Sequence, residues 1–129
     1  MKWLRVFSIF VLLHGAAWGG AHYWLSLHPK TELIVVDTSF SLKPEFADML
    51  RWIDSHADSS RYRKLVIATD KAMIGPLDKI RDRQAIFRTA FGHSSAGDLL
   101  KYASVDADQR YWLSDDDFTP DGWTVITFP

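Results

Sequence analysis

Residues 31–37 read Thr-Glu-Leu-Ile-Val-Val-Asp, and residues 38–43 continue Thr-Ser-Phe-Ser-Leu-Lys. The first stretch is a short apolar run rich in β-branched side chains, which predicts a buried strand. The second is a polar loop. Pro44 then stands at the first position of an expected helix, with Glu45 in the first turn. Phe46, Met49, Leu50 and Ile53 form its apolar stripe, running to about residue 56.

Further along, Lys-Leu-Val-Ile-Ala-Thr at 64–69 predicts a second buried strand. Gly75-Pro76 breaks the chain. Residues 77–90 predict a second helix with Ile80, Ile86 and Phe87 inside, and 92–97 a loop. Residues 99–105 and 110–113 are expected to pair as strands across a turn at 106–109, and 123–128 to form the last strand. The order is β-α-β-α-β-β-β. It implies an α/β fold: a small mixed sheet with flanking helices, partly parallel, with an antiparallel edge made by the last strands.

Back from residue 31 the character changes. Residues 6–27 carry no formal charge at neutral pH, and as a helix those 22 residues span about 33 Å, enough for a hydrocarbon core of about 30 Å. Gly15-Ala16-Ala17 resembles a signal-peptidase site, but the apolar stretch runs on past it, which favours an uncleaved anchor. Trp3, Tyr23 and Trp24 suit the interfacial belts, and one transmembrane helix therefore precedes the domain. Lys2 and Arg5 before the helix place the N-terminus in the cytoplasm and the domain outside, in the periplasm if the membrane is a bacterial inner membrane. The chain divides into 1–30 (tip, anchor, short linker) and an extracytoplasmic domain, 31–129.

The anchor has two lines of interest. Gly15 and Gly19, like Ala16 and Gly20, are four apart, and small residues at that spacing let another helix approach. His14, Trp18 and His22 form a second line. A membrane histidine can bond to another helix, ligate a haem iron or chlorophyll magnesium, or be tolerated near the headgroups, and the residues alone leave these open.

The segment Ile34-Val35-Val36-Asp37-Thr38-Ser39-Phe40-Ser41-Leu42 resembles the opening of von Willebrand factor A domains, in a truncated or degenerate form. There a first strand runs into an Asp-x-Ser-x-Ser loop that binds a divalent ion, usually magnesium. The resemblance implies Asp37, Ser39 and Ser41 as ligands, with Asp70 as the distal one at the end of Leu65-Val66-Ile67-Ala68-Thr69-Asp70. It spans about residues 31–70, and no separate loop threonine matches. The donor chemistry suits magnesium, which takes hard oxygens and keeps several waters. The bare alternative is that Asp37 and Ser41 cap the next helix and Ser39 holds a turn.

Charge is lopsided along the chain although the net charge is -1. Arg61, Arg63, Lys64, Lys71, Lys79, Arg81, Arg83 and Arg88 crowd one stretch, whereas residues 106–129 hold six aspartates and one arginine. The basic stretch reads as ordinary solvated surface or as a docking face for lipid headgroups or an acidic partner. Arg81 and Arg88, seven apart, would share a helix face, with Arg63 and Lys64 at the start of the neighbouring strand. The Asp115-Asp116-Asp117 cluster lacks calcium-loop spacing and reads as a solvated turn. His56 and His93 join no motif, and Tyr111, Trp112, Trp123 and Phe128 read as core or membrane contacts.

Several classes have no support. With no cysteine there is neither thiol catalysis nor a thiolate metal site. The sequence holds no nucleophile elbow, phosphate-cradling glycine loop or nucleic-acid module. The expected function is a structural or assembly subunit of a larger membrane complex, touching other membrane subunits and the bilayer and turning over no substrate. The alternatives are a metal-assisted protein-binding module and a pigment- or haem-associated subunit using a membrane histidine.

Overall fold

The aliphatic run at 31–37 becomes the middle of a sheet. In the computed structural model, which describes residues 1–59, 61–88, 92, 95–116 and 118–128 (the Ala96 side chain excepted), β1 is Lys30–Val36, and Leu33, Ile34, Val35 and Val36 are all fully buried. Burial on both faces is why this strand shows no polar alternation. β2 (Arg63–Thr69) and β4 (Gln109–Ser114) pair with it in parallel on either side. β5 (Thr124–Thr127) pairs in parallel with β4, and β3 (Met73–Pro76) runs antiparallel to β2, giving the order β3-β2-β1-β4-β5.

Side chains alternate across this sheet into two cores. On one face Ile34, Val36, Leu65, Ile67 and Leu113 pack against Met49 and Ile53 of helix α2 (Phe46–Ser59), with Leu77, Ile86 and Phe87 from the irregular segment after β3. On the other, Leu33, Val35, Ala68 and Trp112 pack against Leu99 of helix α3 (Ala96–Leu100) and Tyr102 just after it. The stripe expected for α2 is there, with Met49 and Ile53 buried and Phe46 and Leu50 partly so.

Four expectations need correcting. Pro44 lies in a 3-10 turn, Phe40–Glu45, and α2 opens at Phe46. Residues 77–90 hold two 3-10 turns, Leu77–Lys79 and Arg83–Phe87, and no continuous helix is described there; Thr89 and Ala90 lie outside the described residues. Ile80 and Asp82 are extended between the turns, Asp82 caps the second by accepting from Gln84 N at 3.0 Å, and Arg83 Nη1 ties the carbonyls of Leu77 (2.9 Å) and Ile80 (2.7 Å).

Residues 99–105 are not a strand. A Ser95–Asp98 capping box opens α3, and the buried pair Leu99 and Tyr102 sits at helical spacing. β4 consequently pairs with β1, and no 106–109 hairpin forms. Lastly, the antiparallel edge is β3, since Gly75-Pro76 ends a strand instead of merely breaking the chain. The aspartate-rich stretch after β4 is the return link to a parallel β5, with Asp117 outside the described residues.

α1 (Lys2–Leu27) has no buried residue, and at 26 residues, about 39 Å, it is long and apolar enough to cross a membrane. Only His28 and Pro29 separate it from β1, the central strand. The parallel strands all start at the α1 end, and the carboxyl end of β1 lies about 23 Å further along.

Candidate functional site

After β2 and β3 the chain passes to the other side of β1 to make β4, so the strand order reverses between β1 and β4. Ligands of open α/β sheets bind outside the carboxyl ends at such a reversal. Asp37, Thr38, Ser39, Asp70 and Ser114 all lie there, each at most 4% exposed. Backbone bonds draw the three strand ends together: Asp37 N donates to Leu113 O at 2.9 Å and Asp70 N to Val36 O at 3.1 Å.

The two carboxylates hold separate sets of donors. Asp37 Oδ1 accepts from Ser39 N (2.9 Å) and from Ser39 Oγ, and its Oδ2 accepts from Ser114 Oγ (2.7 Å). Asp70 Oδ1 accepts from Thr38 N (3.0 Å) and Thr38 Oγ1 (2.7 Å). Lys71 Nζ lies 2.5 Å from Asp70 Oδ2 and 3.2 Å from Thr38 Oγ1. Behind them Lys101 Nζ donates to Asp70 O at 2.6 Å and Tyr102 Oη to Thr69 O at 2.5 Å. Burial raises the Tyr102 pKa, and the Asp70 and Asp98 charges raise it further.

The residues implied for magnesium do not fit an ion in this arrangement. All four carboxylate oxygens of Asp37 and Asp70 accept from protein donors, and the Lys71 ammonium supplies a fixed positive charge at Asp70. Ser41 is exposed on the 3-10 turn and makes no hydrogen bond to the cluster among the described residues. No group of three or more His, Cys, Asp or Glu side chains placed to hold a metal occurs among the described residues. Thr38, Lys71 and Ser114 join the site although no motif in the sequence assigns them to it. Thr38 and Lys71 were legible as neighbours of the two aspartates, but Ser114 has no local signal, because its role depends on β4 lying beside β1.

A second cluster lies at the opposite end. Glu32 is 1% exposed on the face it shares with Ile34 and Val36, and it accepts from Arg63 Nη1 at 2.8 Å and meets His56 Nε2 at 2.7 Å. The His56 ring stacks on Trp52 (centroids 4.8 Å apart, interplanar angle 8°) and meets the edge of Tyr111. Burial raises the Tyr111 pKa, Glu32 adds to the rise, and Arg63 opposes it. This explains His56, which joined no motif; His93 lies outside the described residues.

The remaining candidates separate. Arg63 and Lys64 sit at the start of β2, whereas Arg88 pairs with Asp82 at 3.1 Å beyond the second 3-10 turn, so Arg81 and Arg88 share no helix face. On α1, a Cβ added at Gly15, Gly19 or Gly20 would meet nothing within 4 Å, and Ala16 is exposed. His14 is exposed too, its Nδ1 3.0 Å from Phe10 O of its own helix. His22 instead stacks on Trp18 and hydrogen-bonds through Nδ1 to the hydroxyl of Tyr62, in the turn between α2 and β2.

No protein family, curated protein or solved structure matches the chain.

Proposed function

We propose that this chain is a membrane-anchored docking subunit: α1 crosses the bilayer with its N-terminus in the cytoplasm, and the α/β domain stands on the periplasmic side as a fixed contact for other subunits of a membrane complex. The observation that carries the reading is the junction. A two-residue connection joins an exposed apolar helix directly to the central strand, so the domain has a set height and orientation above its anchor. A short tether of this kind suits a contact made beside the membrane and restricts a search for soluble substrate. The open Gly15/Gly19 face gives a second helix room for close packing. The polar cluster at the far end, buried and with its carboxylates engaged by protein donors, braces the strand ends and keeps the domain rigid as a contact.

The test is purification of the full chain in mild detergent with identification of every co-migrating protein. Gly15→Leu with Gly19→Leu is expected to leave the chain in the membrane fraction and to release its partners. Wild-type chain that migrates alone, or unchanged co-purification by the double variant, overturns the reading of this face.

A second reading is favoured by the convergence of Asp37, Ser39 and Asp70 at the strand ends. Here the Asp-x-Ser-x-Ser loop is a degenerate A-domain-like surface that grips a protein partner, with Lys71 holding the charge at Asp70. Substitution of exposed Ser41 by Arg should then abolish partner binding while the anchor variants leave it intact.

A further inference from the structure

The turn between α2 and β2 reaches down the side of the anchor. Tyr62 meets His22, which is five residues before the end of α1, or about 8 Å below it along the helix axis. Tyr62 also has a left-handed backbone, with φ of 57°, unusual for an aromatic residue, and its carbonyl accepts from Lys30 N at 3.0 Å. The turn is thus tied both to the helix and to the first residue of β1.

Around this point the chain is basic. Arg61, Arg63 and Lys64 flank Tyr62, and Lys30 is the register partner of Arg63. Lys30, Arg61 and Lys64 are exposed and form no salt bridge among the described residues. Beside them opens a groove of about 480 Å³. Pro29, Ala57, Leu65 and Leu77 line it with apolar surface; Arg63, Lys64, Arg83 and the single acid Asp78 complete the wall. Arg63 gives one nitrogen to Glu32 while its side chain stays 40% exposed.

We propose that this groove binds the headgroup of an anionic glycerophospholipid, the phosphate lying against Arg63 and Lys64 and the glycerol end against Leu65 and Leu77. The inference rests on the reading that α1 crosses a bilayer. Given that, a groove lined by Pro29, two residues past the end of α1, and by Arg63, next in sequence to the Tyr62 that touches His22, lies at headgroup depth, where Tyr23, Trp24 and Tyr62 supply the aromatic belt. Basic side chains close to an anionic surface each strengthen its attraction severalfold. A lining that sets Pro29, Ala57, Leu65 and Leu77 beside Arg63 and Lys64 matches a phosphodiester attached to acyl chains better than it matches a free, fully hydrated phosphate.

The test uses the full chain in nanodiscs of phosphatidylcholine and phosphatidylglycerol in equal parts, with native mass spectrometry of the lipids retained after release. The wild type is expected to retain phosphatidylglycerol preferentially. Lys30→Gln with Lys64→Gln should cut that preference by roughly 25-fold, about fivefold for each charge. Lys43→Gln, at the opposite end of the sheet, should leave it unchanged. Both substituted lysines are exposed, and an unaltered melting transition will confirm the fold.

Entry into discs with equal retention of the two lipids, or an unchanged preference in the double variant, overturns this inference alone. Failure of the chain to enter discs overturns the membrane reading and the inference with it. Displacement of the retained lipid by millimolar inorganic phosphate would show that the site reads free phosphate, and would overturn the lipid assignment.

Discussion

At the carboxyl end of the sheet Asp37 and Asp70 are buried and each of their oxygens accepts a protein donor, whereas at the amino end Lys30, Arg61 and Lys64 stand exposed without an ion pair among the described residues. Both ends are polar, and the sequence marks both with charge. The difference lies in whether that charge is answered from within. A buried carboxylate must be matched, since an unpaired one costs several kcal/mol. An exposed ammonium keeps its water and stays available to a partner outside the chain. The carboxyl end therefore braces the strand ends, and the amino end is free to bind. Glu32 shows the same rule inside the amino end: it is buried, and Arg63 and His56 answer it.

The largest expected effect breaks the closed end. Asp70→Ala removes the buried acceptor of both Thr38 donors and of the Lys71 ammonium, and should lower stability by about 3–5 kcal/mol. Chemical denaturation of the full chain in detergent reads this out, and a loss below about 1 kcal/mol would show that the network braces nothing.

Tyr102→Phe sharpens the comparison. It removes one hydrogen bond to Thr69 O and should cost about 1 kcal/mol at neutral pH. The folded-state pKa of Tyr102 is raised, so the stability its proton confers is fully present below the unfolded value of about 10, and it is lost as pH rises through the folded value. The wild type should weaken over that alkaline range and the gap to Tyr102→Phe should narrow. Parallel denaturation curves at neutral and alkaline pH check this, and a constant gap would contradict it.

The smallest effect belongs to the open end. Lys30→Gln with Lys64→Gln should change stability by no more than about 0.5 kcal/mol, although the same pair is expected to lose its lipid preference. A large stability loss would mean that these side chains, too, are answered within the fold.

Legibility followed locality. β1, β2, the apolar stripe of α2 and the apolar helix were readable because each is a run whose own periodicity states its environment. Residues 77–90 misled because Ile80, Ile86 and Phe87 do pack inside, yet Arg83 and Asp82 use their side chains to hold two 3-10 turns. Residues 99–105 misled because strand-like composition outweighed the short Ser95–Asp98 capping signal. In the site, Asp37, Ser39 and Asp70 were legible as strand-end residues, and their expected companion Ser41 is exposed. The basic face expected from Arg81 and Arg88 dissolved with the helix that was to carry it, leaving Arg63 and Lys64 at the anchor end.

By itself the sequence determined a helix long and apolar enough for a membrane, a domain behind it with almost no linker, and two buried parallel-type strands. These follow from burial and chain length, which a linear run of side chains records directly. Only the tertiary structure decided that β4 inserts beside β1, which brings Ser114 to Asp37, and that Lys71 turns back onto Asp70. It alone set Tyr62 against His22, so that the basic turn lies beside the anchor. Each of these joins residues far apart in sequence or depends on a backbone turn, and neither composition nor periodicity carries that information.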